Sequence, residues 1–146
     1  MKVKDVLQMK GGQVLSISAD ASIQEAIRLM TEQDVGSLLV RDASGQFVGL
    51  ITERQIIRYW NEHPKATATM PVREAMNRNP LVVFPDDDLD YVMGVMTENR
   101  VRHVLVLSDG ELVGIVSIGD IVKAQLEDTR VENRYLQDFI AAKYIA

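Results

Sequence analysis

Residues 30–35 read Met30-Thr31-Glu32-Gln33-Asp34-Val35, and residues 96–101 read Met96-Thr97-Glu98-Asn99-Arg100-Val101. A second phrase, Val48-Gly49-Leu50-Ile51-Thr52, is answered by Val113-Gly114-Ile115-Val116-Ser117. The separation is 66 positions for the first pair and 65 for the second. The turn between the phrases absorbs the difference, Asp42-Ala43-Ser44-Gly45 in one copy and Ser108-Asp109-Gly110 in the other. An internal repeat sets the fold unit and its symmetry before any other reading. Two copies create a two-fold-like interface, and paired clefts at such an interface are the first place to look for function.

Working outward, each copy reads as a helix followed by two strands. Ile23, Ala26, Ile27 and Met30 fall at i, i+3, i+4 and i+7 and predict a buried helical stripe. Ser22 and Glu25 have the spacing of a capping box that opens this helix. Leu89, Val92, Met93 and Met96 repeat the stripe, and the acidic run Asp86-Asp87-Asp88 stands where acid favours the helix dipole, on a solvated helix start. Ser37–Val40 and Phe47–Ile51 predict a hairpin, as do Val104–Leu107 and Leu112–Val116. Each hairpin runs into a second helix, Glu53 to about Trp60 and Ile118 to about Glu127. Val14–Ile17 and Leu81–Phe84 read as additional strands, and Val3–Leu7 and Val72–Met76 as short helical lead-ins. Pro64 and Pro71 bracket a linker. Val131, Tyr135, Phe139, Ile140 and Tyr144 predict a last amphipathic helix without a counterpart, packed on the body or on another subunit.

Composition narrows the function classes. The chain has 146 residues, 47% apolar, which supports a packed globule. A formal net charge of −5 gives nucleic acid no global electrostatic support. There is no cysteine, which excludes thiol catalysis and disulfides. No secretory apolar run or membrane-length apolar stretch is present, so a cytoplasmic location is expected. Neither His63 nor His103 belongs to a spaced ligand set, and no metal site is expected. Phosphate-binding glycine loops and nucleophile–base sets are absent, so no enzymatic activity is expected.

The strongest local chemistry is Gly114-Ile115-Val116-Ser117-Ile118-Gly119-Asp120. A buried strand ends in a hydroxyl, and a carboxylate follows three residues later as a helix begins. Backbone N–H groups, a hydroxyl and a helix N-terminus suit a phosphate. An ionised Asp120 is acceptor-only and suits paired sugar hydroxyls. A plainer reading fits the same spacing: Ser117 as a strand-end turn and Asp120 as a helix cap. Arg102-His103 starts the preceding strand, where Arg102 has the geometry to grip phosphate or to be an exposed edge residue. Gly36-Ser37 holds that place in the first copy, small enough either for a flat base to approach the backbone or for tight packing.

Together the repeated order of lead-in, strand, helix, hairpin and helix, and the Gly-h-h-Thr/Ser-x-x-Asp motif, resemble a tandem cystathionine-β-synthase (CBS) domain pair. The phrases Val35-Gly36-Ser37-Leu38, Gly49-Leu50-Ile51-Thr52-Glu53-Arg54, Arg100-Val101-Arg102-His103 and Val116-Ser117-Ile118-Gly119-Asp120 are similar to small stand-alone members, over about residues 1–127. The resemblance implies an α+β fold of two repeats related by a pseudo-two-fold axis. The first repeat is expected over 1–63, a linker over 64–71, the second repeat over 72–127 and a C-terminal helix over 128–146.

It further implies a regulatory, ligand-sensing homodimer that binds AMP, ADP, ATP, NAD(H) or S-adenosylmethionine in clefts between the repeats and acts on a partner protein. By the family's pattern Ser117 contacts phosphate and Asp120 ribose, with Ile115 beside them, Arg102 reaching phosphate, and Ala21, Val35, Gly36 and Ser37 facing the base. A second cleft is expected from Thr52, Arg54 and Gln55 with Val83, Pro85, Val101 and His103. Here the chain departs from the pattern: Gln55 stands where the ribose-binding Asp is expected, and a neutral amide is the weaker acceptor. The two clefts are therefore expected to be unequal. The rival reading is a constitutive dimeric scaffold with vestigial clefts.

Overall fold

The computed structural model describes residues 1–11, 13–128 and 131–145, the side chains of 131–133 and 143–145 excepted. The chain runs α1 (Val3–Lys10), β1 (Ser16–Ser18), α2 (Ile23–Gln33), β2 (Ser37–Arg41), β3 (Phe47–Thr52), α3 (Glu53–Glu62), β4 (Val82–Val83), α4 (Leu89–Asn99), β5 (His103–Ser108), β6 (Glu111–Ser117), α5 (Ile118–Asp128) and α6 (Val131–Ile145). Short 3-10 turns at Thr67–Thr69 and Val72–Glu74 occupy the linker and the second lead-in. Strand–helix–strand–strand–helix thus occurs twice, as the repeat predicts.

Each copy builds its own three-stranded sheet, β1-β2-β3 and β4-β5-β6. The first two strands of each are parallel and joined through a helix, and the last two form an antiparallel hairpin. Each hairpin carries a register shift at the same place, Val40/Arg41 and Val106/Leu107. Two local devices close the helices alike. Asp34 and Arg100 take left-handed conformations (φ 53° and 55°). Val35 and Val101 then donate their N–H groups to the carbonyls of Met30 and Met96, both at 3.0 Å. This is a helix-stop geometry, and it accounts for the repeated six-residue phrase. At the other end, Ser22 Oγ accepts from Glu25 N at 3.1 Å and Glu25 Oε2 from Ser22 N at 3.3 Å, the predicted capping box. In the acidic run Asp87 accepts from Phe84 N, while Asp86 and Asp88 pair with Lys4 and Lys2 at 3.1 and 3.3 Å.

Two compact units result, one of residues 1–12 and 82–146, the other of residues 13–81. The lead-in of each copy therefore packs with the sheet of the other. In the unit holding β4–β6, Val3 N and Lys4 N donate to Asp87 O and Pro85 O at 3.0 and 2.9 Å. In the unit holding β1–β3, Val72 N and Arg73 N make the matching bonds to Ala21 O and Ala19 O at 2.7 and 3.1 Å. Arg73 also pairs with Asp20. The motif glycines serve this seating. A Cβ at Gly114 would lie 2.5 Å from Leu7 Cδ2, and one at Gly49 would lie 2.7 Å from Met76 Sδ and 2.9 Å from Asn77 O.

The core of the 13–81 unit is Ile23, Ala26, Met30, Leu38, Val40, Ile51, Ile56 and Val72. The other unit buries Val3, Val6, Val83, Leu89, Val92, Met96, Val104, Val106, Val116, Ile121 and Ala124. One expectation needs correction. Ile27 is 37% exposed rather than buried, because Ile23, Ala26 and Met30 suffice as the stripe over so small a sheet. Tyr135, Phe139 and Ile140, with Leu136, are exposed on this chain, and the alternative of packing on another subunit stands. Val131 and Tyr144, assigned to the same stripe, have side chains outside the described residues.

Candidate functional site

Strand β6 delivers Ser117 to the mouth of its hairpin, opposite His103 in the ladder. The chain then turns into α5, whose first N–H, that of Ile118, donates to Arg102 O at 2.9 Å. Ser117 Oγ accepts from Asp120 N at 3.1 Å, and Asp120 Oδ2 accepts from Ser117 N at 2.9 Å. The plainer reading of the motif is thus realised: Ser117 and Asp120 cap α5 reciprocally.

Sequence reasoning missed the other partner. Lys10, the last residue of α1, reaches across to the head of α5. Its Nζ donates to Asp120 Oδ2 at 2.7 Å and to Ile115 O at 2.6 Å. The pair is largely withdrawn from water, with side chains 30% and 26% exposed. Burial pushes the Asp120 carboxyl upward. The Lys10 hydrogen bond, the Ser117 N–H, the lysine charge and the Ser117 hydroxyl together outweigh it and hold Asp120 below its ordinary value. The result is a carboxylate firmly ionised at neutral pH.

The first copy repeats the junction without charge. Ser37 pairs with Thr52, and Glu53 N donates to Gly36 O at 3.1 Å. Gln55 Oε1 accepts from Thr52 N at 2.8 Å and from Thr52 Oγ1 at 2.6 Å, and Gln55 N donates to Thr52 Oγ1 at 3.4 Å. Gln55 therefore fills the capping role of Asp120. The lead-ins offer a signal that connects these differences. Counting on from the residue that covers each motif glycine, the third position after Leu7 is Lys10, and the third after Met76 is Asn79. The copy with the carboxylate has the ammonium, and the copy with the amide has another amide.

The sequence-predicted residues fall into two groups. Arg102, Ile115, Ser117 and Asp120 lie in the unit of residues 1–12 and 82–146, together with Val83, Pro85, Val101 and His103. Ala21, Val35, Gly36 and Ser37 lie in the 13–81 unit with Thr52, Arg54 and Gln55. Within the first group Arg102 is exposed, His103 half-buried and Ile115 buried. Pro85 O and Val101 N are already committed to Lys4 N and Met96 O. A concavity of about 610 Å³ in the same unit lies elsewhere, between Met1, Leu89, Tyr91, Val122 and Leu126, and holds none of the motif residues. Among the described residues no three His, Cys, Asp or Glu side chains are grouped to hold a metal ion. No described helix is long and apolar enough to cross a membrane.

Twice-repeated α+β units, each ending its hairpin in a capped hydroxyl–acceptor pair, define a tandem two-repeat module. The chain belongs to the CBS domain family, whose model matches residues 3–62 and 72–127. It is 33% identical to the mitochondrial CBS domain-containing protein CBSX3 of Arabidopsis thaliana, over 97% of this chain and 73% of that one. It is similar to the crystal structure of a CBS-domain containing protein from Agrobacterium tumefaciens, with a TM-score of 0.82 and 37% identity over 85% of this chain and 92% of that one. The CBS domain pair of protein MJ0100, solved in complex with 5′-methylthioadenosine and S-adenosyl-L-methionine, matches with a TM-score of 0.71 and 27% identity, over 84% of this chain and 98% of that one. CBS-pair proteins are in general regulatory modules, and that neighbour binds adenosine compounds.

Proposed function

We propose that this protein is a nucleotide-sensing regulatory module in which Asp120 accepts the ribose hydroxyls of an adenosine ligand. The observation that carries this reading is the Asp120 carboxylate at the head of α5. It is half-buried, held ionised, and its Oδ1 accepts no hydrogen bond from any described residue. An ionised acceptor of this kind matches a sugar diol better than it matches a phosphate. Ser117 and Arg102 take the phosphate. The adenosine compounds in the MJ0100 structure support the ligand class, and AMP is the first ligand to try, followed by ADP, ATP and NAD(H). The nucleotide acts on a partner protein only through its differential affinity for two states of the module.

The test is titration calorimetry with AMP. Charged hydrogen bonds contribute about 1.5–3 kcal/mol each, so Asp120→Ala should weaken binding about tenfold to a hundredfold. Ser117→Ala removes a neutral partner and should cost about 0.5–1.5 kcal/mol. Wild-type affinity in Asp120→Ala rejects the assignment.

A second reading is favoured by α6, which presents Tyr135, Leu136, Phe139 and Ile140 to solvent. On that reading the chain is a constitutive dimeric scaffold whose contacts run through α6 and whose nucleotide sites are vestigial. A saturable thermal shift with AMP separates the two, because only a ligand that binds the folded state raises the midpoint.

A further inference from the structure

We infer that Lys10 is a specificity-determining residue of the Asp120 site, because it occupies one of the two carboxylate positions that a ribose diol needs. The inference rests on Asp120 being the ribose acceptor. A vicinal diol docks on a carboxylate by giving one O–H to each oxygen. Each carboxylate oxygen offers about two lone-pair sites. On Asp120, Oδ2 has both filled, by Ser117 N at 2.9 Å and by Lys10 Nζ at 2.7 Å. Oδ1 has no partner among the described residues. The first sugar hydroxyl therefore finds an open acceptor on Oδ1, and a second hydroxyl placed on Oδ2 must displace one of the two donors already present.

The Ser117 N–H is the poor candidate for displacement, since it belongs to the reciprocal cap that starts α5. Lys10 is the exchangeable donor, a long side chain on the terminal residue of α1. It is also a real competitor, because its ammonium makes a second bond, to Ile115 O at 2.6 Å, and is 30% exposed. The wild-type site consequently gains little from the second hydroxyl. The repeat supplies an internal comparison: in the copy where Gln55 replaces the carboxylate, Asn79 stands at the matching count and no ammonium is provided.

The position of Lys10 gives the exchange a consequence. Gly11 follows it at φ 84°, closing α1 through its N–H to Leu7 O at 3.1 Å, and the two compact units divide after residue 12. A diol that displaces Lys10 frees the last turn of α1 at the point where the chain leaves one unit for the other.

The experiment measures affinities of the full chain for AMP and for 2′-deoxy-AMP by calorimetry, in wild type, Lys10→Met, Lys10→Gln and Asp120→Asn. The readout is the ratio of the two affinities. Any attraction between the lysine and the phosphate is shared by both ligands and cancels. Wild type should discriminate by no more than about threefold, and both Lys10 variants by about tenfold or more, the scale of one charged hydrogen bond gained. A ratio that is unchanged or smaller in both Lys10 variants overturns the proposal. If that result comes with a ratio near one and weakened AMP binding in Asp120→Asn, the ribose role of Asp120 stands without Lys10. If Asp120→Asn leaves AMP binding unchanged, or if no protein binds either ligand, the ribose reading fails and the proposal fails with it.

Discussion

Alanine at Gly49 should destabilise this protein well beyond alanine at Gly114, although the two glycines hold the same place in the two copies. At Gly114 the new methyl meets a single atom, Leu7 Cδ2 at 2.5 Å, while the next Leu7 atoms lie at 3.7 Å. A leucine tip relieves such a clash by rotating. At Gly49 the methyl meets Met76 Sδ at 2.7 Å, Met76 Cγ at 3.0 Å and the main-chain oxygen of Asn77 at 2.9 Å. That oxygen accepts from Leu50 N at 2.9 Å, and Asn77 N donates to Leu50 O at 2.8 Å, so the segment cannot retreat without lengthening both bonds. Overpacking a filled site costs about 1–3 kcal/mol, and each weakened bond adds a fraction of about 0.5–1.5 kcal/mol. Losing glycine's freedom in the unfolded chain returns about 0.4–1 kcal/mol to both variants. The expected net cost is about 2–3 kcal/mol at Gly49 and about 0–1 kcal/mol at Gly114. Urea denaturation followed by circular dichroism measures both. Equal losses, or a larger loss at Gly114, would refute the account of these glycines as seats for the exchanged lead-ins.

Three further outcomes are expected. Gln55→Asp should preserve the cap with Thr52 in the geometry of Ser117 and Asp120, add about 0.3–1 kcal/mol from the helix dipole, and raise the number of AMP sites or their affinity; calorimetry showing the same sites in both proteins would remove Gln55 as the handicap. Asp120 has its folded pKa held below the ordinary 3.8, so its contribution to stability is full above about pH 3.8 and is lost as the pH falls below that value; stability measured over this window should drop more steeply in wild type than in Asp120→Asn. The chain should sediment as a closed two-fold dimer, and charged substitutions at Phe139 and Ile140 should weaken that dimer if α6 is part of its interface; monomer alone at micromolar concentration rejects the assembly.

What depends on neighbours along the chain was legible in the residues. The two copies, their order of elements, the hairpins and the caps at Ser22/Glu25 and Ser117/Asp120 all rest on spacings of a few residues, where composition and periodicity carry the signal. The family followed from the same phrases. The weakness of Gln55 as a stand-in for Asp was legible too, although its part in capping α3 was not. The contacts that could not be read this way join residues far apart in the chain. Lys10 meets Asp120 across 110 positions, and no periodicity in either segment announces the meeting. The exchange of lead-ins is of the same kind. Val3 and Val72 look alike as sequence, and each is held by carbonyls of the other copy because that is where the matching backbone acceptors and the glycine-lined seats are. The motif glycines give no sign of their neighbours either, and the space beside them is filled by Leu7 and Met76. Ile27 and the apolar side of α6 read as buried, yet burial depends on how much sheet or partner a helix finds to cover. Local chemistry wrote the elements of this protein, and the packing of distant segments decided which of its charged groups stand together.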